Sequence, residues 1–255
     1  MQMDLMKLLS RAALAGGLAL ALAACGDKKE GELPKGEAIA AVAPPAGSSW
    51  VETAAITPEG GYVIGNPNAP LKLVEYASHT CSHCAAFSQE AASALDKYVA
   101  SGRVSYELRN QIHDPLDLTI AMLARCGTPA SFHPLANQAW QNFDAILAAV
   151  RANGAALEQA QAAPRAQRLQ AIGEAAGLID FFAARGISRD RAMICLADTA
   201  KATQITEAST KHSNELNVSG TPTFFLNGRL VEGATWGPGR NDPGIEAALQ
   251  NAGAR

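Results

Sequence analysis

Two cysteines three residues apart carry the strongest chemical signal of this sequence, in the segment Cys81-Ser82-His83-Cys84. We predict that this C-x-x-C motif begins a helix, which places its two Cα atoms one turn apart and within reach of a disulfide. The free N–H groups of the helix amino terminus, and His83 when protonated, stabilise a thiolate at Cys81. The motif therefore predicts thiol–disulfide exchange, with Cys81 as the exposed nucleophile and Cys84 as the deeper, resolving thiol.

A metal site is the alternative interpretation of this segment, because His79, Cys81, His83 and Cys84 offer four ligands within six residues. Zinc sites normally draw a second pair of ligands from a distant segment. The sequence contains no second C-x-x-C, and its other histidines, His113, His133 and His212, are isolated. We therefore predict no metal and no cofactor, and we interpret these three histidines as structural or solvent-exposed.

The elements around the motif predict a strand–helix–strand unit. Residues 71–77 and 104–110 have the pattern of strands, and a helix is predicted from near Cys81 to about Ala100. Such a unit is right-handed and brings its two strands side by side in a parallel sheet.

A second group of strands is predicted near the carboxyl end of the chain. Residues 223–226 and 229–231 flank Asn227-Gly228, the dipeptide most typical of a type I′ hairpin. A last helix is predicted over 243–250, with Asp242 able to cap it.

Between these halves, residues 115–216 are rich in Ala, Gln, Leu and Arg, with Gly and Pro as interruptions, which predicts a bundle of helices. The fold class is therefore α/β, with one domain (61–114 and 217–255) divided by an inserted helical domain (115–216). The chain has 255 residues and a formal charge of −3, so charge-driven nucleic-acid binding is not expected.

The amino-terminal residues predict export. Residues 1–24 have a positive start at Lys7 and Arg11 followed by a short apolar run, as in a secretory signal peptide. The run ends in Leu22-Ala23-Ala24-Cys25, which resembles the bacterial lipoprotein box, whose cysteine becomes the lipid-modified amino terminus; an ordinary cleaved signal is the alternative. Residues 25–60 then predict a lipid-anchored flexible tether. The expected location is the periplasmic side of a bacterial membrane, where disulfides persist.

Two separated segments resemble the DsbA-like branch of the thioredoxin superfamily. The first runs from Gly65-Asn66-Pro67 through Cys81-Ser82-His83-Cys84, and the second is Val218-Ser219-Gly220-Thr221-Pro222 with the hairpin that follows. The resemblance covers about residues 60–252 and implies a thioredoxin fold with an inserted all-helical domain.

The resemblance also implies roles for individual residues. Pro222 matches the family's cis-proline, beside which the backbone of Thr221 pairs with an extended substrate. Glu75 matches a buried acid that passes a proton, although by pattern alone it also fits a solvent-facing acid at a strand edge. Ser82 and Thr221 differ from the proline and valine of the best-known oxidase at these positions, which leaves the oxidising strength open.

For the remaining cysteines, the resemblance suggests a structural disulfide between Cys126 and Cys195 within the helical insert. Two separate buried thiols are the alternative.

The predicted activity is that of a thiol:disulfide oxidoreductase that forms disulfides in secreted proteins, its substrates. A membrane quinone-coupled, DsbB-like protein is the expected re-oxidant. The alternatives are a disulfide reductase or isomerase of the same fold, and a lipoprotein that binds metal or unfolded peptide without catalysis.

Overall fold

The computed structural model describes residues 36–240 and 242–255. The signal peptide, Cys25 and the first part of the predicted tether lie outside these residues. The elements follow the chain in this order: β1 (Ala54–Ile56), β2 (Tyr62–Gly65), β3 (Leu71–Ala77), α1 (Ser82–Ala100), β4 (Val104–Asn110), α2 (Pro115–Ala124), α3 (Pro129–Gln141), α4 (Phe143–Ala152), α5 (Gly154–Ala162), α6 (Arg165–Ala175), α7 (Leu178–Ala183), α8 (Arg189–Ala197), α9 (Thr199–Leu216), β5 (Thr223–Leu226), β6 (Arg229–Val231) and α10 (Gly244–Asn251).

The strands form one six-stranded sheet in the order β1-β2-β4-β3-β5-β6. The central pair, β3 and β4, is parallel and joined through α1, and the other neighbouring pairs are antiparallel. Leu73, Leu108 and Phe224 are almost fully buried in these strands. The segment that contains Cys81 and Cys84 therefore follows a strand at the centre of the sheet.

The local predictions for the strands are confirmed. Strands β3, β4, β5 and β6 have the predicted bounds. Both turn residues between β5 and β6 have positive φ, 51° at Asn227 and 78° at Gly228, as a type I′ turn requires. The last helix begins at Gly244, one residue later than predicted, and the Asp242 carboxylate accepts a hydrogen bond from the Gly244 N–H.

The segment from residue 36 to residue 60 differs from the predicted flexible tether. The Ile39 N–H donates to the Gly253 carbonyl and the Val42 N–H to that of Ser101, so this stretch is fixed to the rest of the fold. Trp50 is buried, and its indole N–H donates to the Val42 carbonyl at 2.7 Å. The short β1 then pairs with β2 at the sheet edge. A single large aromatic side chain and a three-residue strand anchor a segment whose average composition is that of a linker.

The elements between β4 and β5 are all helices, as predicted. Cys126, just after α2, and Cys195 in α8 form a disulfide with their Cα atoms 5.9 Å apart. The bond joins α8 to the short segment between α2 and α3. None of the helices within the described residues is both long enough and apolar enough to cross a membrane.

Candidate active site

Cys81 occupies the N-cap position of α1, with extended backbone angles that end the β3–α1 loop. Its sulfur accepts a hydrogen bond from the Cys84 N–H at 3.4 Å, so the side chain caps the helix in the way that serine or aspartate does elsewhere. Cys81 is partly exposed and Cys84 is fully buried, and both are free thiols. The accessible sulfur and the covered sulfur are thus those that the motif predicts.

The surroundings of the Cys81 and Cys84 sulfurs shift the pKa values of these two thiols in opposite directions. Hydrogen bonding from the Cys84 side chain, together with the side chain of Thr221 and the backbone N–H groups of Cys84 and His83, lowers the pKa of Cys81 to about 5 despite partial burial. Burial raises the pKa of Cys84 far above its usual range, and the hydrogen bond to Cys81 and the charge of Glu75 raise it further. At neutral pH the pair therefore carries one thiolate, at Cys81, and one thiol, at Cys84.

His83 contributes to the Cys81 site through its backbone. Its N–H group is among those that lower the pKa of Cys81, while its side chain is exposed at the first turn of α1. An imidazolium in solvent interacts weakly with a neighbouring charge because water screens it. The predicted role of the ring therefore depends on protonation and on approach of the ring to the sulfur.

The loop before β5 closes over Cys81. The Thr221–Pro222 peptide bond is cis, and the Thr221 carbonyl oxygen lies 3.2 Å from the Cys81 sulfur, so it accepts a hydrogen bond from the protonated thiol. Pro222 is buried and Thr221 is partly exposed. Two segments separated by 140 residues in sequence thus meet at the reactive sulfur.

His113, for which the sequence predicts a structural or solvent-exposed role, lies beside the Thr221 loop. Its Nε2 is 3.4 Å from the Thr221 hydroxyl oxygen, and it lines a cavity of about 450 Å³ between α2, α6 and α9. The parallel pairing of β3 with β4 explains this position, since the loops after both strands emerge at the same sheet edge. That topological rule is the signal that could have identified His113.

Glu75 is buried in β3, which excludes the solvent-facing alternative. Its Oε2 accepts a hydrogen bond from the Tyr106 hydroxyl, while Oε1 is buried with no partner among the described residues. Burial raises the pKa of Glu75 to about 8; the Tyr106 hydrogen bond opposes this effect and the charge of Cys81 adds to it. A carboxyl group of this kind is protonated at neutral pH and able to give or take a proton near Cys84.

A buried carboxylate, Asp117 of α2, fixes the loop that presents Cys81. It accepts hydrogen bonds from the Ser78 hydroxyl at 2.6 Å, the His79 N–H at 2.8 Å and the His113 N–H at 3.0 Å. The Trp140 indole N–H donates to the Ser78 carbonyl at 3.0 Å. The loop geometry therefore depends on helices α2 and α3, which the motif does not reveal.

The side chains that would serve as ligands in the metal alternative lie in different surroundings. The His79 ring is buried and stacked on Trp140, with centroids 4.7 Å apart, whereas His83 is exposed. Within residues 36–240 and 242–255, no group of three or more His, Cys, Asp or Glu side chains is arranged to hold a metal ion.

Among the other predicted site residues, the Cys126–Cys195 pair joins α8 to the segment after α2, and neither cysteine contacts Cys81 or Cys84 through the hydrogen bonds described. Cys25 lies outside the described residues.

Comparison with known proteins places the chain in a family. The family described as Thioredoxin matches residues 57–236, which is more than half of the chain. The chain therefore belongs to the thioredoxin family. Its fold is the DsbA-like form, since Chlamydia trachomatis DsbA superposes with a TM-score of 0.53 at 18% identity, covering 82% of this chain and 96% of that one.

Two relatives are more similar in sequence. A solved structure titled protein-disulfide isomerase from Novosphingobium aromaticivorans is 31% identical, with a TM-score of 0.67, and the match covers 74% of this chain and 94% of that one. A protein of Rickettsia typhi, named as a candidate protein-disulfide oxidoreductase, is 31% identical over 67% of this chain and 56% of its own length. The chain thus spans just over half the length of that curated relative.

Proposed function

We propose that this protein is a thiol:disulfide oxidoreductase that forms disulfides in secreted proteins through the pair Cys81 and Cys84. The observation that carries the proposal is the position of Cys81 at the N-cap of α1, where its partly exposed sulfur accepts a hydrogen bond from the Cys84 N–H. Hydrogen bonding from Cys84, Thr221 and the start of α1 lowers the pKa of Cys81 to about 5. Stabilising a thiolate stabilises the reduced form of the pair, which makes the disulfide form a stronger oxidant. The names of the two relatives described above support the same chemistry.

The exchange runs through a mixed disulfide. A client thiolate attacks the Cys81 sulfur of the Cys81–Cys84 disulfide, forming a client–Cys81 bond and releasing Cys84 as a thiolate. A second client thiolate then attacks the client sulfur of that bond, which leaves the client oxidised and Cys81 as a thiolate. Two electrons pass to the protein, and attack by Cys84 on the mixed disulfide is the reverse reaction, which returns a reduced client.

Glu75 has the properties needed to handle the proton of this step. The Cys84 thiolate that leaves is buried, and burial strongly disfavours its charge. Glu75, with a pKa of about 8, is protonated at neutral pH, and it lies close enough to Cys84 that its ionised form raises the pKa of that thiol. Proton transfer from Glu75 to Cys84 neutralises the leaving sulfur and makes its departure easier.

The reduction potential of the Cys81–Cys84 pair, equilibrated against a glutathione buffer, tests the oxidase role. A value near about −120 mV is expected of a strong oxidant, and a value near about −270 mV would assign the pair to thioredoxin-like reductants. The Cys84→Ala variant serves as the control, because it has no intramolecular couple. That variant is also expected to accumulate mixed disulfides with disulfide-bonded clients, and absence of any trapped species would contradict exchange at Cys81.

Disulfide isomerisation is the second candidate function. The Novosphingobium structure at 31% identity carries that name, and Thr221 before the cis-proline differs from the valine of the best-known oxidase. A scrambled ribonuclease distinguishes the two activities. An isomerase, with Cys81 and Cys84 reduced, restores ribonuclease activity to the scrambled protein in a glutathione buffer. An oxidase instead forms disulfides in fully reduced ribonuclease, and without a re-oxidant it is consumed stoichiometrically.

We also propose that the protein works on the periplasmic side of a bacterial membrane, lipid-anchored at Cys25 and re-oxidised by a quinone-coupled membrane partner. The lipoprotein-like sequence at residues 22–25 and an exchange chemistry suited to an oxidising compartment support this location. Metabolic labelling with a radioactive fatty acid tests the anchor. Label in the wild type that is absent from Cys25→Ser is expected, and an unlabelled wild type would remove the anchor from the proposal.

A further inference from the structure

A second cavity, of about 420 Å³, lies away from the two reactive cysteines, between the β1–β2 turn, the carboxyl ends of β4 and α2, and one side of α9. Its lining is unusually basic: Arg109, Arg125, Lys201 and Lys211 face one acidic residue, Glu59. Neither Cys81 nor Cys84 lines it, so its charge is not explained by the exchange reaction.

Arg125 is the most deeply placed of these cations. Its Nε donates to the Asn110 carbonyl oxygen Oδ1 at 2.8 Å, Nη1 donates to the Gly60 carbonyl at 3.0 Å, and the guanidinium lies 4.9 Å from the Tyr62 ring centroid. Among the described residues, no carboxylate forms an ion pair with it. Burial lowers the pKa of Arg125 to about 10, so it remains charged at neutral pH. Arg125 is only partly exposed, and a charge removed from much of the surrounding water is costly unless a counter-charge is supplied.

Asn110 gives independent evidence of a missing partner. Its side chain is 4% exposed, and the bond from Arg125 Nε fixes which end of the amide is oxygen, because a reversed amide would oppose two donors. Its Nδ2 is left as a buried donor with no acceptor among the described residues. Buried polar groups are nearly always hydrogen-bonded, so an unsatisfied donor beside an unpaired guanidinium indicates an acceptor that carries negative charge.

His212 extends this pattern across the cavity. It is 6% exposed and packs edge-on against Tyr76, and its Nδ1 is buried with no hydrogen-bond partner among the described residues. Two unsatisfied side chains, one on β4 and one on α9, thus line one cavity. At the outer edge, Lys201 is partly buried and its Nζ donates to the Gln204 side chain at 2.9 Å, while Lys211 is exposed and lies 3.9 Å from the Glu215 carboxylate.

We propose that this cavity binds a small organic polyanion bearing carboxylate or phosphate groups. One anionic group accepts from the Asn110 amide and the Arg125 guanidinium, and a second lies between Lys201 and Lys211. A volume of about 420 Å³ exceeds what a lone inorganic ion needs and falls in the range of small-molecule sites. Arg109 is already paired with Glu107 at 2.6 Å, so it closes one wall.

Thermal unfolding of the whole oxidised chain tests the site, with citrate as the carboxylate probe and pyrophosphate as the phosphate probe. A ligand that binds the folded state raises the melting temperature in a saturable way. We expect this for at least one probe, and the comparison of the two assigns the preferred group. Sodium chloride at matched ionic strength separates site binding from general salt effects.

Three variants locate the binding. Asn110→Asp keeps the oxygen that accepts from Arg125 and adds a negative charge, so loss of the probe's effect is expected. The double variant Lys201→Gln with Lys211→Gln leaves the buried residues unchanged. It should weaken binding, so that the half-saturating concentration of the probe rises roughly three- to tenfold. Lys97→Gln, an exposed lysine on α1, is the matched control and should bind as the wild type does.

The outcomes against the proposal are equally specific. Sodium chloride reproducing the full effect, neither probe shifting the melting temperature, or the double-lysine variant binding as tightly as the control would each overturn it. Circular dichroism establishes that each variant is folded before its binding is compared.

Discussion

The Tyr106 hydroxyl donates a hydrogen bond to Oε2 of Glu75, across neighbouring strands and beside the buried thiol of Cys84. The parallel register of β3 and β4 pairs Leu73 with Tyr106 and Glu75 with Leu108, so the two polar side chains stand diagonally on the same face of the sheet. Burial also raises the pKa of Tyr106, which keeps its hydroxyl protonated as a donor. Glu75, the proposed proton donor to Cys84, therefore accepts its hydrogen bond from a tyrosine that stays neutral.

Removing this hydroxyl is predicted to change the pH dependence of exchange. The hydrogen bond from Tyr106 lowers the pKa of Glu75, so Tyr106→Phe should raise that pKa above its present value of about 8. The alkaline limb of the pH–rate profile for client oxidation should move to higher pH. The control is Tyr98→Phe, whose hydroxyl bonds Glu246 instead. An unmoved profile in Tyr106→Phe would separate Glu75 from the rate-determining proton transfer.

The buried carboxyl of Glu75 is predicted to make stability fall as pH rises. Its folded pKa of about 8 lies above the unfolded value near 4.3, so the folded state binds more protons between these pH values. The stabilising contribution is complete below pH 4 and is lost as pH rises through 8. Compared with Glu75→Gln, the wild type should lose stability with a slope approaching about 1.4 kcal/mol per pH unit in this window. Urea unfolding at several pH values measures the difference, and parallel curves would show that Glu75 is not the titrating group.

The Cys81 thiolate is predicted to depend more on Cys84 than on the His83 ring. The hydrogen bond from Cys84 is the largest influence that lowers the pKa of Cys81, and His83 acts through its backbone N–H. Cys84→Ala should raise the pKa of Cys81 from about 5 by several units toward that of an ordinary thiol, whereas His83→Ala should change it by less than about one unit. Thiolate absorbance at 240 nm across pH 3 to 10 measures both. A larger shift in His83→Ala would restore the ring as the main cause.

The disulfide between Cys126 and Cys195 is predicted to stabilise the fold without taking part in exchange. It closes a loop with a sequence separation of 69, for which chain entropy gives about 4 kcal/mol. The variant with both cysteines changed to serine should unfold at lower urea concentration while retaining the reduction potential of the Cys81–Cys84 pair. A potential that changed with the double substitution would connect the two pairs.

Much of the fold was predictable because its signals are local. The alternating apolar residues of 71–77 and 104–110, and Asn227-Gly228 between two short apolar runs, depend on neighbouring residues alone. The tether predicted for residues 36–60 differs from the structure for the same reason. Their local composition is polar and small, and only the burial of Trp50 and the pairing of β1 with β2 reveal that the segment belongs to the fold.

The sequence by itself determined the reactive pair, its position at the start of a helix and the family to which these features belong. These depend on spacing within one turn of helix and on short motifs. The family resemblance also implied the roles of Thr221 and Pro222. Only the tertiary structure decided that Tyr106 donates to Glu75 and that Asp117 accepts from the loop before Cys81. The same holds for the meeting of Arg125 with Asn110. Register and packing between distant segments set these contacts; a one-residue shift of β4, for example, would turn Tyr106 to the opposite face of the sheet.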